Sequence, residues 1–531
     1  MNREISSRPS SKPSSDAQLA VVDPSSNLPS TLQAIPSSPS SFGPICSLPP
    51  EILVEIFQAC SDLDDSPWRL ACVCGRWREI AIQAPSLWRY ICLFYGDIRS
   101  IWSVKQWSIP GVSGTFLTAG RKQVYATVKD LDQAILRSGS NPLDIDLSFT
   151  QRGDVESEAH QLLAQDLLFR IFAQEDTYSR ISRLTITQLP SDPPTIPIPN
   201  PLPNLKAFEW IELGSGCTPF IRQLISGCGK LSSIDVSFGV LFAVQDFDIW
   251  RHVKCFYVKD SSEDSFPSEA MALNTVIPEC LSLEEFKVMG FEAWPGKTTP
   301  PVTCRHLHTL ELYCEAKYLQ RIDAPLLGYL ELYEPWSISP RESKDICMEF
   351  PELATLIVRT NDSGWIFRSK LPKLKSLTVT LGSGAALVNR VETKVTTWED
   401  IFPPSVFPTV ESAIFQAVGH DNLFVAALQS VPNVESITVI SDALPDPGFG
   451  SQLVQRLSST SPIGICGKAS RIQFGNRWCN FGVQRVSLEP SFRGLVAVRQ
   501  GWITPLQSLQ VYWTEDRGPT EYLTHTQNSS V

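Results

Sequence analysis

The chain has 531 residues, with 45 Lys and Arg against 56 Asp and Glu, a formal net charge of −11; that length suits three or four domains or one elongated repeat array, and the charge argues against nucleic acid or an anionic membrane as the main partner. Hydrophobic residues make up 43%, ample for a large core. The 14 cysteines include no Cys-x-x-Cys pair, the N-terminus offers Ser and Pro where a secretory signal carries a basic and then an apolar stretch, and no apolar run approaches the roughly 18 residues of a membrane span, so the expectation is a soluble protein of a reducing compartment, cytoplasmic or nuclear, whose partners are proteins.

Residues 1–45 hold 13 Ser and 7 Pro and too few large apolar groups to offset the entropy of ordering them, so they read as a disordered tail. The composition changes at Cys46. From Leu48 to Cys60, LPPEILVEIFQAC sets Ile52, Leu53, Ile56, Phe57 and Cys60 on one stripe of an α-helix. Pro49 and Pro50 sit where a first turn has no amide to lose. A polar loop over 61–65 leads to Ser66-Pro67, cap and first residue of a second helix over about 67–83, with Leu70, Val73, Cys74, Trp77, Ile80 and Ala81 on one face. Pro85 stops it, and Ser86-Leu87-Trp88 opens a short segment that returns two large apolar groups to the same core. Three small helices bury little surface on their own, so their spare apolar faces require a partner.

After a connector over 93–120, Val124, Val128, Leu131 and Ile135 predict a helix near 121–138 that ends at Ser138-Gly139. PLDIDLSF at 142–149 alternates as a strand does, and a second helix is expected over roughly 156–174. A recurring unit follows, apolar-x-x-apolar-x-apolar, whose first positions are Ile181, Leu205, Leu231, Val253, Leu283, Leu307, Leu327, Leu353, Leu374, Val410, Val434, Val483 and Leu506. The intervals are 24, 26, 22, 30, 24, 20, 26, 21, 36, 24, 49 and 23, and nine of the twelve fall in the range of leucine-rich repeats. Chance alone gives roughly 40 such units at this apolar content, so the longer form carries more weight. Apolar-Pro-x precedes the unit six times, as in LPNLKAFEW, FPELATLIV and LPKLKSLTV, where composition predicts about one or two. A short strand with alternate residues in a core cannot bury its apolar face alone, so such units stack side by side. The fold expected is α/β: a short three-helix head over 46–92, then over 121–513 an irregular leucine-rich-repeat-like solenoid, a curved, mostly parallel sheet with helices and loops outside, and a polar tail over 514–531.

Residues 48–91, LPPEILVEIFQAC...WRLACVCGRWREIAIQAPSLWRYI, resemble an F-box. The resemblance is carried by Leu48-Pro49, Glu51-Ile52-Leu53, Ile56-Phe57, Leu70, Val73-Cys74, Arg76-Trp77 and Leu87-Trp88, in that order. It implies a non-catalytic substrate receptor of a Skp–cullin–F-box ubiquitin ligase. The F-box would dock a Skp-type adaptor and through it a cullin, and the repeats would capture a protein substrate. Contact with the adaptor is expected from Leu48, Pro49, Ile52, Leu53, Ile56, Leu70, Val73, Trp77 and Trp88. Phe57, Cys74, Ile80 and Leu87 are expected to pack the F-box itself.

Enzyme motifs are not met. Gly229-Lys230 and Gly467-Lys468 are followed by Leu231 and Ala469, not by the Ser or Thr of a phosphate-cradling loop, and Pro219 stands where a dinucleotide loop from Gly214 needs its third glycine. No nucleophile elbow and no HExxH occurs, so no cofactor or metal is expected. Two alternatives stay open: an F-box scaffold acting outside a ligase, and a metal-dependent hydrolase built on Cys304, His306 and His308, with Cys314 nearby.

Substrate contact is expected on the strand faces of HLHTLELY and LLGYLELY, where equivalent residues of adjacent strands stand about 4.8 Å apart. Glu311 falls beside Glu331 and Tyr313 beside Tyr333, with Lys287 and Ile357 extending the first row, and Met289 and Arg359 the second. Adjacent carboxylates on such a face would suit a basic substrate segment anchored by the tyrosines.

Overall fold

The computed structural model describes residues 45, 48–62, 67–95, 108–109, 112–113, 128–149, 158–188, 202–210, 218–237, 240–241, 248–259, 267–289, 299–334, 347–360, 364–381, 402–417, 421–441, 451–458, 465–476, 493–499, 506–515 and 518–526. The chain divides into two compact units, Met1–Pro49 and Pro50–Val531. In the first, the Leu48 amide donates to the Ile45 carbonyl at 3.4 Å.

The second unit opens with α1 (Pro50–Asp62), α2 (Pro67–Val73) and α3 (Gly75–Gln83), followed by a 3-10 turn over Pro85–Trp88. The single helix expected over 67–83 is two. Cys74 breaks it in an extended conformation (φ −157, ψ 170), and its Sγ accepts the Trp77 amide at 3.4 Å. Gly75, the next residue, costs about 1 kcal/mol in a helix interior and nothing at a helix start, so the break falls where continuation is least favoured.

Among the described residues, the remainder is organised mainly on one sheet of sixteen strands whose spatial order is the chain order: β1 (Tyr90–Tyr95), β2 (Leu143–Phe149), β3 (Ile181–Gln188), β4 (Ala207–Trp210), β5 (Ser233–Ser237), β6 (Cys255–Lys259), β7 (Glu285–Met289), β8 (Thr309–Tyr313), β9 (Tyr329–Tyr333), β10 (Thr355–Thr360), β11 (Ser376–Leu381), β12 (Ser412–Ala417), β13 (Ser436–Ser441), β14 (Arg471–Asn476), β15 (Ser508–Glu515) and β16 (Gly518–Thr526). Every pairing is parallel except the last, where β16 returns antiparallel to β15. Helices such as α4 (Val128–Arg137) and α5 (Glu158–Phe172) cross between strands. This is a mixed α/β, solenoid-like repeat region behind a helical head.

The repeat has a common local cause. From Leu205 through Val434, the first apolar position of each unit donates its amide to a carbonyl three residues back, as in Leu205 to Leu202, Leu231 to Cys228, Leu283 to Cys280, Leu327 to Ala324 and Leu374 to Leu371, at 3.1–3.4 Å. The acceptor residue is buried and the residue after it is often proline, as at Pro203, Pro325, Pro351 and Pro372. Proline presets the backbone of the second turn position. The apolar-Pro-x signature is thus a β-turn feeding each strand. Two apolar rows then run across the sheet, one through Leu184, Phe208, Ile234, Phe256, Phe286 and Leu310, and all six are buried.

The elements run across three of the expected boundaries. β1 starts at Tyr90 and pairs with β2, so the sheet begins inside the segment read as head and connector. A strand stands at 471–476 behind Ala469, whose amide closes the same turn on Cys466 at 3.0 Å; alanine is too small to mark a repeat in an apolar count, and Val483 lies outside the described residues. The tail read over 514–531 contains β16, which pairs the sheet's last edge, where polar alternation suffices because the backbone supplies the bonds.

Candidate functional site

The helical head separates the residues expected at the adaptor surface into two groups. Leu53, Leu70 and Trp88 are buried, with Leu53 and Trp88 wholly so. They pack the head itself. Trp88 Nε1 donates to the Ala81 carbonyl at 2.8 Å, and the Arg137 guanidinium of α4 covers its ring at 4.7 Å. Phe57 and Leu87 are buried as expected, while Cys74 and Ile80 are half-buried. Phe57 packs against Trp77 with ring centroids 4.7 Å apart.

The other group is at least partly exposed. Val73 is 61% exposed and Ile52 41%, Ile56 and Trp77 are half-buried, and in the first unit Leu48 is half-buried and Pro49 exposed. Ile82, which helical periodicity did not single out, is also exposed. Aliphatic side chains left in water at the ends of short helices cost solvation that a protein partner would recover.

On the sheet, the side of each strand opposite the core carries a continuous row: Thr185, Glu209, Asp235, Tyr257, Lys287, Glu311, Glu331, Ile357 and Thr378. The register read between HLHTLELY and LLGYLELY is present: Glu311 stands opposite Lys287 and Glu331, Glu331 opposite Ile357, and Tyr333 opposite Tyr313 and Arg359. Pairing of β7 with β8 runs from Thr309 to Glu311, and Met289 stands opposite Lys259.

The two carboxylates expected to meet a basic substrate are occupied by the chain's own donors. Lys287 Nζ lies 2.7 Å from Glu311 Oε1. Glu331 is 8% exposed and accepts the phenols of Tyr329, at 2.6 Å, and Tyr333. A cation arriving here would have to displace Lys287 or two buried hydrogen bonds. Burial raises the Glu311 carboxyl above its ordinary range against the pull of Lys287, and raises the Tyr329 and Tyr333 phenols further as they donate to Glu331. The acidic row extends where the sequence pattern was silent: Lys259 Nζ lies 2.5 Å from Asp235 Oδ2 and 3.6 Å from Glu209 Oε1.

Cys304 is buried, as the first residue of its turn, whereas His306 and His308 are exposed. The three do not project to one side. Among the described residues no group of three or more His, Cys, Asp or Glu is placed to hold a metal. No described helix is long and apolar enough to cross a membrane.

Comparison with known proteins agrees with the head. Residues 45–94 match the family model described as F-box-like. No curated protein matches the chain. Among solved structures, a crystal structure of a protein from Bacteroides fragilis is similar at 14% identity over 47% of this chain and 67% of that one, with a TM-score of 0.28, a value that adds nothing to the fold drawn above. Residues 45–94 therefore form an F-box-like domain, and a parallel-strand repeat region follows it in the chain.

Proposed function

We propose that the chain is the substrate-recognition subunit of a Skp–cullin–F-box ubiquitin ligase, a non-catalytic adaptor acting in the cytoplasm or nucleus. The F-box-like domain docks a Skp-type subunit, and through it a cullin, while the half-exposed strand face holds a protein substrate. The observation that carries this reading is the exposure of Val73 and Ile52 on helices that match the F-box-like model. An apolar anchor in a dry interface contributes about 2 kcal/mol or more, so two of them account for a large share of a stable contact.

The test is capture of a purified Skp-type adaptor by the full chain. Ile52→Asp and Val73→Asp should each weaken capture at least about tenfold with the melting temperature unchanged, because neither residue is part of the core. Undiminished capture by the double variant would end the assignment. Adaptor capture without cullin recruitment would instead favour a scaffold acting outside a ligase.

A further inference from the structure

Arg359 lies on β10, between Tyr333 of β9 and Thr380 of β11. Its guanidinium carbon sits 4.7 Å from the Tyr333 ring centroid. The Tyr333 and Tyr313 rings are stacked, 6.3 Å apart and 15° from parallel. Tyr333 is fixed in turn by its phenol, which donates to the buried Glu331. The arginine therefore rests on an aromatic shelf that is itself anchored, and much of its rotamer freedom is gone before any ligand arrives.

What distinguishes Arg359 is that no carboxylate among the described residues pairs with it. The other cations on this side of β3–β9 each have one: Arg183 with Glu209 at 3.9 Å, Lys259 with Asp235 at 2.5 Å, and Lys287 with Glu311 at 2.7 Å. Among the described residues, the Arg359 guanidinium makes no ion pair and no hydrogen bond, only the ring contact. Its onward neighbours in both rows, Thr378, Thr380 and Gln416, are uncharged. A stacked guanidinium keeps its donors in a plane, and that fork matches a carboxylate through two parallel bonds.

We propose that Arg359, held on Tyr333, reads one carboxylate, the side chain of an Asp or Glu in an extended protein segment laid across the strand face. Resting on the reading of that face as a substrate surface, the proposal names the substrate's chemistry. A single negative charge fits and a phosphate dianion does not. Glu331, whose partners are two neutral phenols, is the nearest side chain to Tyr333 on the same face of that strand, so the second charge of a phosphate would face this carboxylate with no second cation of its own to meet it, because Lys287 is engaged by Glu311.

The experiment uses the full chain and display libraries of short random peptides with one fixed residue: Glu, phosphoserine, Lys or Ala. The Glu pool should be enriched at least about tenfold over the others, the size of effect that a charge-assisted pair produces. Arg359→Glu should abolish this and favour the Lys pool, Arg359→Lys should keep part of it, and Tyr333→Ala should weaken it without altering charge. Enrichment that survives Arg359→Glu, an absence of Glu enrichment in the parent chain, or a preference for phosphoserine would each overturn the proposal. Adaptor capture by the same variants should equal that of the parent chain. A parent chain that selects Glu peptides yet captures no adaptor would end the ligase reading alone, so the two failures are distinguishable.

Discussion

The Arg137 guanidinium covers the Trp88 indole at 4.7 Å, joining the last helix turn before the second strand to the last large side chain of the helical head. Around this contact the Asp144 amide donates to the Arg89 carbonyl at 2.9 Å and the Tyr90 phenol to Asp146 Oδ2 at 3.1 Å. β1 leaves the head directly and pairs with β2. Head and sheet thus share one packed layer, and the orientation of one is set by the other.

It follows that the head depends on the sheet for its stability. A fragment ending at residue 94 loses the cover over Trp88 and the partner of β1, and should show no cooperative melting transition by circular dichroism. In the full chain, Arg137→Ala should cost about 1 kcal/mol in urea unfolding. A fragment that melts cooperatively would show that the layer is dispensable.

Buried thiols should be inert. Burial raises Cys228 and Cys304 to about 11 and Cys466 to about 12, so at pH 8 almost none of each is thiolate. Among the described cysteines, native-state alkylation followed by mass spectrometry should label the exposed Cys72 and Cys347 first. Early labelling of Cys304 would contradict its place in the turn core.

Asp235 should make stability depend on pH. Burial lifts its carboxyl to about 6, against the opposing pull of Lys259. Between about pH 4 and 6 the folded chain then holds a proton that the unfolded chain has released. This group's favourable contribution is complete below pH 4 and is lost as the pH rises through 6. Relative to the parent, Asp235→Asn should gain stability on going from pH 4 to pH 7, by about 2–3 kcal/mol at most. Denaturant melts at the two pH values measure the difference, and a constant offset would refute it.

Arg499 acts as a clasp near the end of the repeat array. Fully buried on the helix over 493–499, it donates to the carbonyls of Leu457, Cys466 and Ile465 at 3.0, 3.1 and 3.3 Å. Burial lowers its guanidinium to about 10, still charged at neutral pH. Arg499→Met fills a similar volume and strands three carbonyls, so it should cost about 3 kcal/mol or more. A melting temperature equal to the parent's would show those carbonyls satisfied otherwise.

Much of this was legible in the sequence because it is local. Leu202-Pro203 and Leu371-Pro372 announce the turn that starts a strand, and one alternation of Thr309–Tyr313 against Tyr329–Tyr333 suffices to pair Glu311 with Glu331. The role of Cys304 was within reach too. It stands three residues before Leu307, as Leu202 stands before Leu205 and Cys228 before Leu231, and that offset marks a core position, not a ligand. Cys74 misled in the opposite way, since its apolar spacing continues a helix that its backbone ends.

The amino-acid order by itself settled where most of the repeat strands form, since turn chemistry and apolar period act over a few neighbouring residues. Tertiary structure alone decided which apolar groups of the head face water, for Leu53 and Ile52 are adjacent in an equally apolar run and only the placement of α3 and the Trp88 segment encloses one of them. It also decided which charges are satisfied. Lys287 finds Glu311, and Arg359 finds no carboxylate among the described residues, because burial and pairing belong to the whole assembled sheet, and no window of sequence contains that sum.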